Sequence, residues 1–313
     1  MIVVGGEALV DLVPSSGAWD IGGPLLPRWG GAPFNVAVAL GRLAVPTRFL
    51  SRLSEDPFGV ALLERLHGAG VDTSLVQRGP EPTALAVVTV GADGSARYSF
   101  HFEGTADRLV TDPGPLPEDT TAVALGSLSL VLQPGASAYL QVLHREADAG
   151  RLISLDPNIR PALIADPVAY RACFVSWLPS IGLLKMSDED AAWLNGDRDD
   201  VVQAYEWLRA GATAVVITRG GGGLSAVTQA GVVDVPALPT IVADTIGAGD
   251  TAHAAVLARL AAHGALGRDR LADLDADAWR DVLRFAAVAA ARTCARPGAE
   301  PPTAAELDAP EPA

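Results

Sequence analysis

Apolar positions recur along the chain in two styles, short β-branched runs and longer stretches at helical spacing. Ile2 to Val4 is such a run, and Ala8 to Val13 continues it past Gly5-Gly6, which predicts one buried first strand. Phe34 to Leu43 reads as a helix, Thr47 to Leu53 as a strand, and Pro57 to Gly68 as a helix opened by proline. Thr83 to Val90 and Arg97 to Phe102 alternate apolar and other residues around Asp93-Gly94, the pattern of a hairpin. From Thr121 the pattern becomes strand then helix, repeated. Strands are predicted at Ala122 to Leu125, Leu152 to Leu155, Ile181 to Lys185 and Ala214 to Thr218. Helices are predicted near Ala136 to Ala149, Asp199 to Ala210, from about Ala248, and from Ala276 to Arg296, with a short one opening at Ser187 to Asp190. Such alternation implies a mostly parallel sheet with helices on both faces and ligands at the carboxyl ends of its strands. Asp11, Asp156 to Arg160, Ser187 to Asp190, Arg219 to Gly223 and Gly247 to Asp250 fall at those ends on this reading. The Gly/Pro/Trp-rich stretch 15–31 and the 83–102 hairpin do not fit the alternation and are expected to pair as a small separate sheet. The Pro, Ala and Glu-rich residues 301–313 predict a loose tail.

Composition narrows the partners. At 313 residues and 49% hydrophobic, the chain can bury one large α/β core or two smaller ones. Its 23 Lys+Arg against 37 Asp+Glu leave a net charge of −14, which argues against nucleic acid or an anionic membrane as the main partner. An anionic ligand in a local pocket stays open. Lys185 is the only lysine and Gly-Lys never occurs, so the Walker phosphate loop is excluded. Cys173 and Cys294 are far apart, and neither Cys-x-x-Cys nor His-Glu-x-x-His occurs, so a zinc site is not expected and a reducing cytoplasm is. The N-terminus has no signal-peptide pattern. Thr120 to His144 carries no formal charge, but Pro134-Gly135 breaks it into a strand, a turn and a helix start rather than a membrane span.

The chemistry concentrates at Asp244-Thr-Ile-Gly-Ala-Gly-Asp-Thr251. Gly247 and Gly249 permit a tight turn, and the Ala-rich stretch after it, with Val256, Leu257 and Leu260, is helical. A glycine turn feeding a helix N-terminus gathers unpaired N–H groups and suits an anion. Asp250 in that turn makes sense as a proton acceptor beside a hole for developing negative charge; the bland alternative is a helix-capping turn with an N-terminal charge. Asp11, set within Leu-Val-Asp-Leu-Val, is either a ligand contact or a turn aspartate. Asn35, after Trp29-Gly30-Gly31-Ala32-Pro33, is either a contact to a polar ligand or a helix cap.

Taken together, Gly30-Gly31-Ala32-Pro33-x-Asn35-Val36-Ala37 and Asp244-Thr245-x-Gly247-Ala248-Gly249-Asp250 resemble the signatures of the ribokinase-like (PfkB) carbohydrate kinases over nearly the whole chain. Gly6-Glu7-Ala8-Leu9-x-Asp11, Gly104-Thr105-Ala106-Asp107, Asp156-Pro157-Asn158-x-Arg160 and Lys185-x-Ser187-Asp188-Glu189 are similar to the fructokinase branch. The resemblance implies a three-layer α/β/α sandwich at 1–300 with a mostly parallel central sheet, and a small β lid from segments about 12–31 and 83–103. It implies Asp250 as base, with Gly247, Ala248 and Gly249 as anion hole. Asp11, Gly30, Gly31, Asn35 and Arg160 would hold the sugar. Ser187, Thr218, Arg219, Gly220, Gly221 and Gly223 would meet the nucleotide. The cofactors implied are ATP and Mg2+, with Asp190 reaching the metal through water, and K+ near Asp244 through backbone oxygens. The family's acidic motif, usually Asn-x-x-Glu, reads Ser187-x-x-Asp190 here, and Ala287 stands where relatives often carry an asparagine near the adenine. A homodimer through the lid is a further expectation.

The function so implied is ATP-dependent phosphorylation of a primary sugar hydroxyl, with D-fructose to fructose 6-phosphate first. 2-Keto-3-deoxygluconate, ribose and a nucleoside are the alternatives within the family. A dinucleotide-dependent dehydrogenase is suggested by Gly247-x-Gly249-x-x-Ala252, but no second strand follows the helix as that fingerprint requires. A non-catalytic sugar-binding protein would have no use for Asp250.

Overall fold

In the computed structural model, which describes residues 1–15, 22–90, 96–196 and 198–308, the chain begins with β1 (Ile2–Gly5), β2 (Leu9–Pro14), β3 (Leu25–Gly30), α1 (Ala32–Arg42), β4 (Thr47–Ser54), α2 (Pro57–Gly68) and β5 (Asp72–Gly79). Next come β6 (Ala84–Val90), β7 (Ala96–His101), β8 (Ala122–Gly126), α3 (Gly135–Asp148), β9 (Leu152–Asp156), α4 (Pro167–Trp177), β10 (Leu183–Ser187), α5 (Asp188–Asn195) and α6 (Asp200–Arg209). The rest is β11 (Ala214–Thr218), β12 (Leu224–Thr228), β13 (Gly231–Val235), α7 (Ala248–Ala262), α8 (Arg268–Ala272), α9 (Ala276–Cys294) and α10 (Ala304–Asp308).

The large sheet has the order β13-β12-β11-β10-β9-β8-β1-β4-β5. Its strands from β5 to β11 are parallel, and β12 and β13 add an antiparallel edge. Parallel strands need helical crossovers, and these cover both faces. Alternate residues of each strand face opposite layers. Ile2, Val4, Ala122, Leu183 and Val216 pack under α1, α7 and α9, while Val3, Val123, Ile153, Leu184 and Ile217 pack against α3, α4 and α6. The result is the expected three-layer sandwich.

Several of the helices start where the sequence supplies side-chain caps. Asp56 Oδ1 accepts from Gly59 N at 2.8 Å with Pro57 at the first helical position of α2, and Asp166, Asp199 and Asp275 cap α4, α6 and α9 in the same way. Strand ends at the site are aligned by register: Gly126 stands opposite Asp156, and Ser187 opposite Thr218.

The small sheet has the order β3-β2-β6-β7, with β2 antiparallel to β3 and parallel to β6. β6 and β7 pair antiparallel as the hairpin pattern predicts, while its turn at Asp93-Gly94 lies outside the described residues, as do 16–21 of the glycine- and tryptophan-rich stretch.

The single first strand expected from Ile2 to Val13 is instead two. β1 belongs to the large sheet and β2 to the small one. The chain changes sheets at Gly6, whose φ of +152° and absent Cβ let Pro33 approach; a Cβ there would lie 2.2 Å from Pro33 Cγ. Asp11 therefore sits on the small sheet rather than at a strand end of the large one. The loose tail expected from 301 is also corrected through Asp308. Pro301 and Pro302 are buried, α10 follows, and Glu306 pairs with Arg296 while Glu300 pairs with Arg65 at 2.7 Å. Among the described residues no helix is long and apolar enough to cross a membrane.

Candidate active site

The turn before α7 ends at Gly247, whose φ of +75° is a left-handed conformation that glycine adopts without strain. Ala248 N bonds Thr245 O and Thr251 N bonds Gly247 O, whereas among the described residues Gly249 N and Asp250 N meet no protein acceptor. Of the three residues expected to offer an anion hole, Ala248 therefore spends its N–H within the turn, while Gly249 and, beyond the expected set, Asp250 present theirs at a helix N-terminus, an arrangement that suits an anion. The turn is fixed from behind. Asp244 Oδ2 accepts from Gly298 N at 2.8 Å and Oδ1 from Ile246 N at 3.0 Å, and Gly247 lies so close to Ala299 that a Cβ on it would sit 2.7 Å from the alanine's Cβ.

Asp250 Oδ2 accepts from Asn35 Nδ2 at 2.8 Å, so the two separated signatures meet side chain to side chain. Asn35 is placed by the start of α1, where Gly31 at φ +98° passes within 2.6 Å of Glu7 O at the position of its missing Cβ. Asp250 is half-buried and lines the cleft beside Lys185 and Asp190. Burial raises its carboxyl to about 6, against the opposing pull of Asn35, Lys185 and Arg160. A group that titrates near neutrality at the end of an anion hole suits proton transfer.

Asp11 on β2 is close enough to feel the charges of Asp250 and Arg160. Burial pushes its carboxyl up to about 7, with Arg160 lowering it and Asp250 raising it further. Gly30 makes room for it, since a Cβ there would lie 2.8 Å from Asp11 Oδ2. Arg160 is exposed and held by the loop after β9, its Nη1 donating to Asn158 Oδ1 at 2.7 Å and Ile159 O at 3.1 Å. Asp190 is tied to that loop and to Ser187. Its Oδ1 accepts from Ile159 N at 2.8 Å, and its Oδ2 from Ser187 Oγ at 2.7 Å, in a capping box that starts α5.

Two clefts meet at the α7 turn. One, of about 540 Å3, runs past Thr218, Gly220, Gly221 and Gly223 to a wall of Leu238, Val242, Ala287 and Ala290. The other, of about 350 Å3, holds Arg160, Lys185, Ser187, Asp190 and Asp250. They share Thr218 and Gly249. Of the residues expected at a nucleotide, the Gly220–Gly223 loop and Thr218 line the larger cleft, while Ser187 lines the smaller. Arg219 is turned away, its guanidinium bound to Asp200 at 2.8 and 3.0 Å. Three features escaped the sequence reading. Lys185 stands in the smaller cleft; its isolation as the sole lysine was the available signal. Tyr98 of β7 feels the charges of Asp11 and Arg160. The irregular stretch 237–242 walls the larger cleft without any period to reveal it.

A family profile described as pfkB family carbohydrate kinase matches residues 2–305. The chain is 41% identical over 285 residues to a fructokinase of Rhizobium leguminosarum bv. trifolii, covering 90% of this chain and 86% of the relative. A crystal structure of a Xylella fastidiosa fructokinase with bound ATP is 28% identical with a TM-score of 0.88, over 98% of this chain and 96% of that one. A Vibrio cholerae O395 fructokinase double mutant in fructose, ADP and potassium ion bound form is 25% identical with a TM-score of 0.82, over 98% and 96%. With both signatures joined at the Asn35–Asp250 hydrogen bond and the family match running from end to end of the fold, the chain belongs to the pfkB family of carbohydrate kinases.

Proposed function

We propose that this kinase transfers the γ-phosphoryl group of ATP to the primary 6-hydroxyl of D-fructose. The observation that carries the reading is the α7 turn, where the free Gly249 and Asp250 N–H groups and the Asp250 carboxyl stand where the two clefts meet. Relatives and solved structures named as fructokinases support the sugar. Asp250 orients the hydroxyl and takes its proton late, as charge moves onto the phosphoryl group. Asp11 and Asn35 accept from and donate to the sugar's other hydroxyls. Gly249 N and Asp250 N receive the negative charge that develops in transfer.

Among the described residues no three His, Cys, Asp or Glu side chains gather so as to hold a metal ion. Asp190, which lines the smaller cleft with Asp250, would order the water shell of a magnesium ion carried in by the nucleotide phosphates. When bound, magnesium supplies neutralisation of the phosphate charge. Asp190→Ala should then raise the magnesium needed for half-maximal rate; an unchanged titration removes that role. Asp244 spends both carboxylate oxygens on backbone N–H groups. A potassium ion beside it would therefore take backbone oxygens, and activity assayed in potassium against choline tests it.

The small sheet is read as a lid over the sugar. Hydrogen exchange in 25–30 and 84–90 should slow on adding fructose, and equal exchange counts against it. Leu26 and Tyr98, exposed on its edge strands, support pairing of two lids, which sedimentation tests directly. Two free cysteines support a cytoplasmic setting, and cell fractionation tests it. The deciding experiment is ADP release with fructose, 2-keto-3-deoxygluconate, ribose and adenosine. If fructose does not have the highest kcat/KM, the substrate assignment falls while sugar kinase activity stands.

A further inference from the structure

Lys185 is buried, 4% exposed, at the third position of β10 opposite Val216, on the face that lies under α7. Its Nζ donates to Asp156 Oδ2 at 2.7 Å. Two ammonium protons remain, and among the described residues they have no protein acceptor. A Cβ on Gly249 would stand 3.4 Å from Nζ, so little more than a glycine hydrogen separates the ammonium from the anion hole. Lys185 also lines the smaller cleft with Gly249, Asp250 and Thr218. Every other one of the 23 Lys and Arg positions is arginine. A chain that uses arginine everywhere else keeps a compact ammonium where a planar guanidinium would meet α7. As a stabilising pair, Lys185 and Asp156 are a poor bargain, since desolvating two charges cancels most of their attraction.

We propose that Lys185 is a catalytic residue that donates to the phosphoryl group in flight, with Asp156 as its positioning residue; this rests on the kinase reading above. In the step, the sugar hydroxyl oxygen forms a bond to the γ-phosphorus. The bond from that phosphorus to the β,γ-bridging oxygen breaks, and its electron pair leaves with ADP. The hydroxyl proton goes to Asp250. Lys185 keeps its protons throughout and acts as a fixed charge. Burial by itself would lower its pKa, but Asp156, Asp250 and Asp190 outweigh burial and hold it above the ordinary lysine value. Lys185 in turn lowers the Asp250 carboxyl.

The test is K185M, with K185R and the double variant K185M/D156N beside it, because K185M leaves Asp156 unpaired in the interior. We expect kcat to fall roughly 10²–10³-fold in K185M, the loss typical of one transition-state donor. The KM for fructose and the affinity for ADP should change by less than about threefold. Tight binding of ADP with aluminium fluoride and fructose, read by calorimetry, should disappear. The acid limb of the kcat/KM profile should move to higher pH, because Asp250 loses a neighbouring cation. K185R should recover only part of the rate. The double variant should show the same loss of kcat with its unfolding temperature kept. A kcat within about threefold of wild type in K185M or in the double variant, or a loss confined to the KM for ATP, overturns the proposal. Wild type that phosphorylates none of the sugars instead sinks the kinase reading.

Discussion

The two clefts that meet at Gly249 are built from opposite materials. The larger is walled by glycine backbone and by small apolar side chains, Leu238, Val242, Ala287 and Ala290 among them. The smaller carries Arg160, Lys185, Asp190 and Asp250, and burial pushes Asp250 up to about 6 and nearby Asp11 up to about 7. A wall of apolar groups selects by volume, and one methylene there is worth only about 1–3 kcal/mol. A wall of polar groups selects by pairing, and each buried group left unpaired, as Lys185 or Asp190 would be, costs its desolvation. Discrimination should therefore be steep among sugars and shallow among nucleotides.

The sharpest way to test that contrast is Asp250→Asn, which keeps size and hydrogen bonding but removes the proton acceptor. We expect kcat to fall roughly 10²–10⁴-fold with fructose affinity largely kept; near-normal turnover would show that the base is elsewhere. Asp11→Ala comes next, with kcat/KM for fructose down roughly 10–10²-fold and KM for ATP unaltered. An equal loss on both substrates would blur the division between the clefts. Third, kcat/KM should fall about tenfold per pH unit below about 6, as Asp250 takes a proton. Stability runs the other way. A carboxyl whose pKa is raised by folding stabilises the fold while protonated, and that contribution is lost as pH rises through the folded pKa. Melting scans should show a D250N variant gaining on wild type at pH 8 relative to pH 5, and no such crossover would contradict the raised pKa. The smallest effect belongs to the apolar wall. Ala290→Val should raise the KM for ATP several-fold, on the order of 1 kcal/mol, and leave kcat within about twofold.

What was legible in the sequence was local or periodic. β-Branched runs and capped helical stretches gave the parallel sheet and its two helical layers, because each signal lies within a dozen residues of itself. The two signatures gave Asn35 and Asp250 before any contact between them was visible. The losses have one cause, which is pairing outside the element itself. The residues of β1 and β2 look alike, and only the partnering of β2 with β3 and β6 separates them. Arg219 has the charge for a phosphate site, but Asp200 captures it. Residues 301–308 have the composition of a free tail, yet Glu300 and Glu306 find Arg65 and Arg296.

The bracing of the α7 turn also sets an order in time. Asp244 is held by Gly298, 54 residues further on, and Gly247 rests against Ala299. During synthesis, the whole of α7 and α9 emerges before the segment that props the anion hole. The growing chain thus carries Asp250, Asn35 and both clefts' walls before the residues that brace the turn have been made. The two residues that brace the turn, Gly298 and Ala299, come after everything they brace in the order of synthesis.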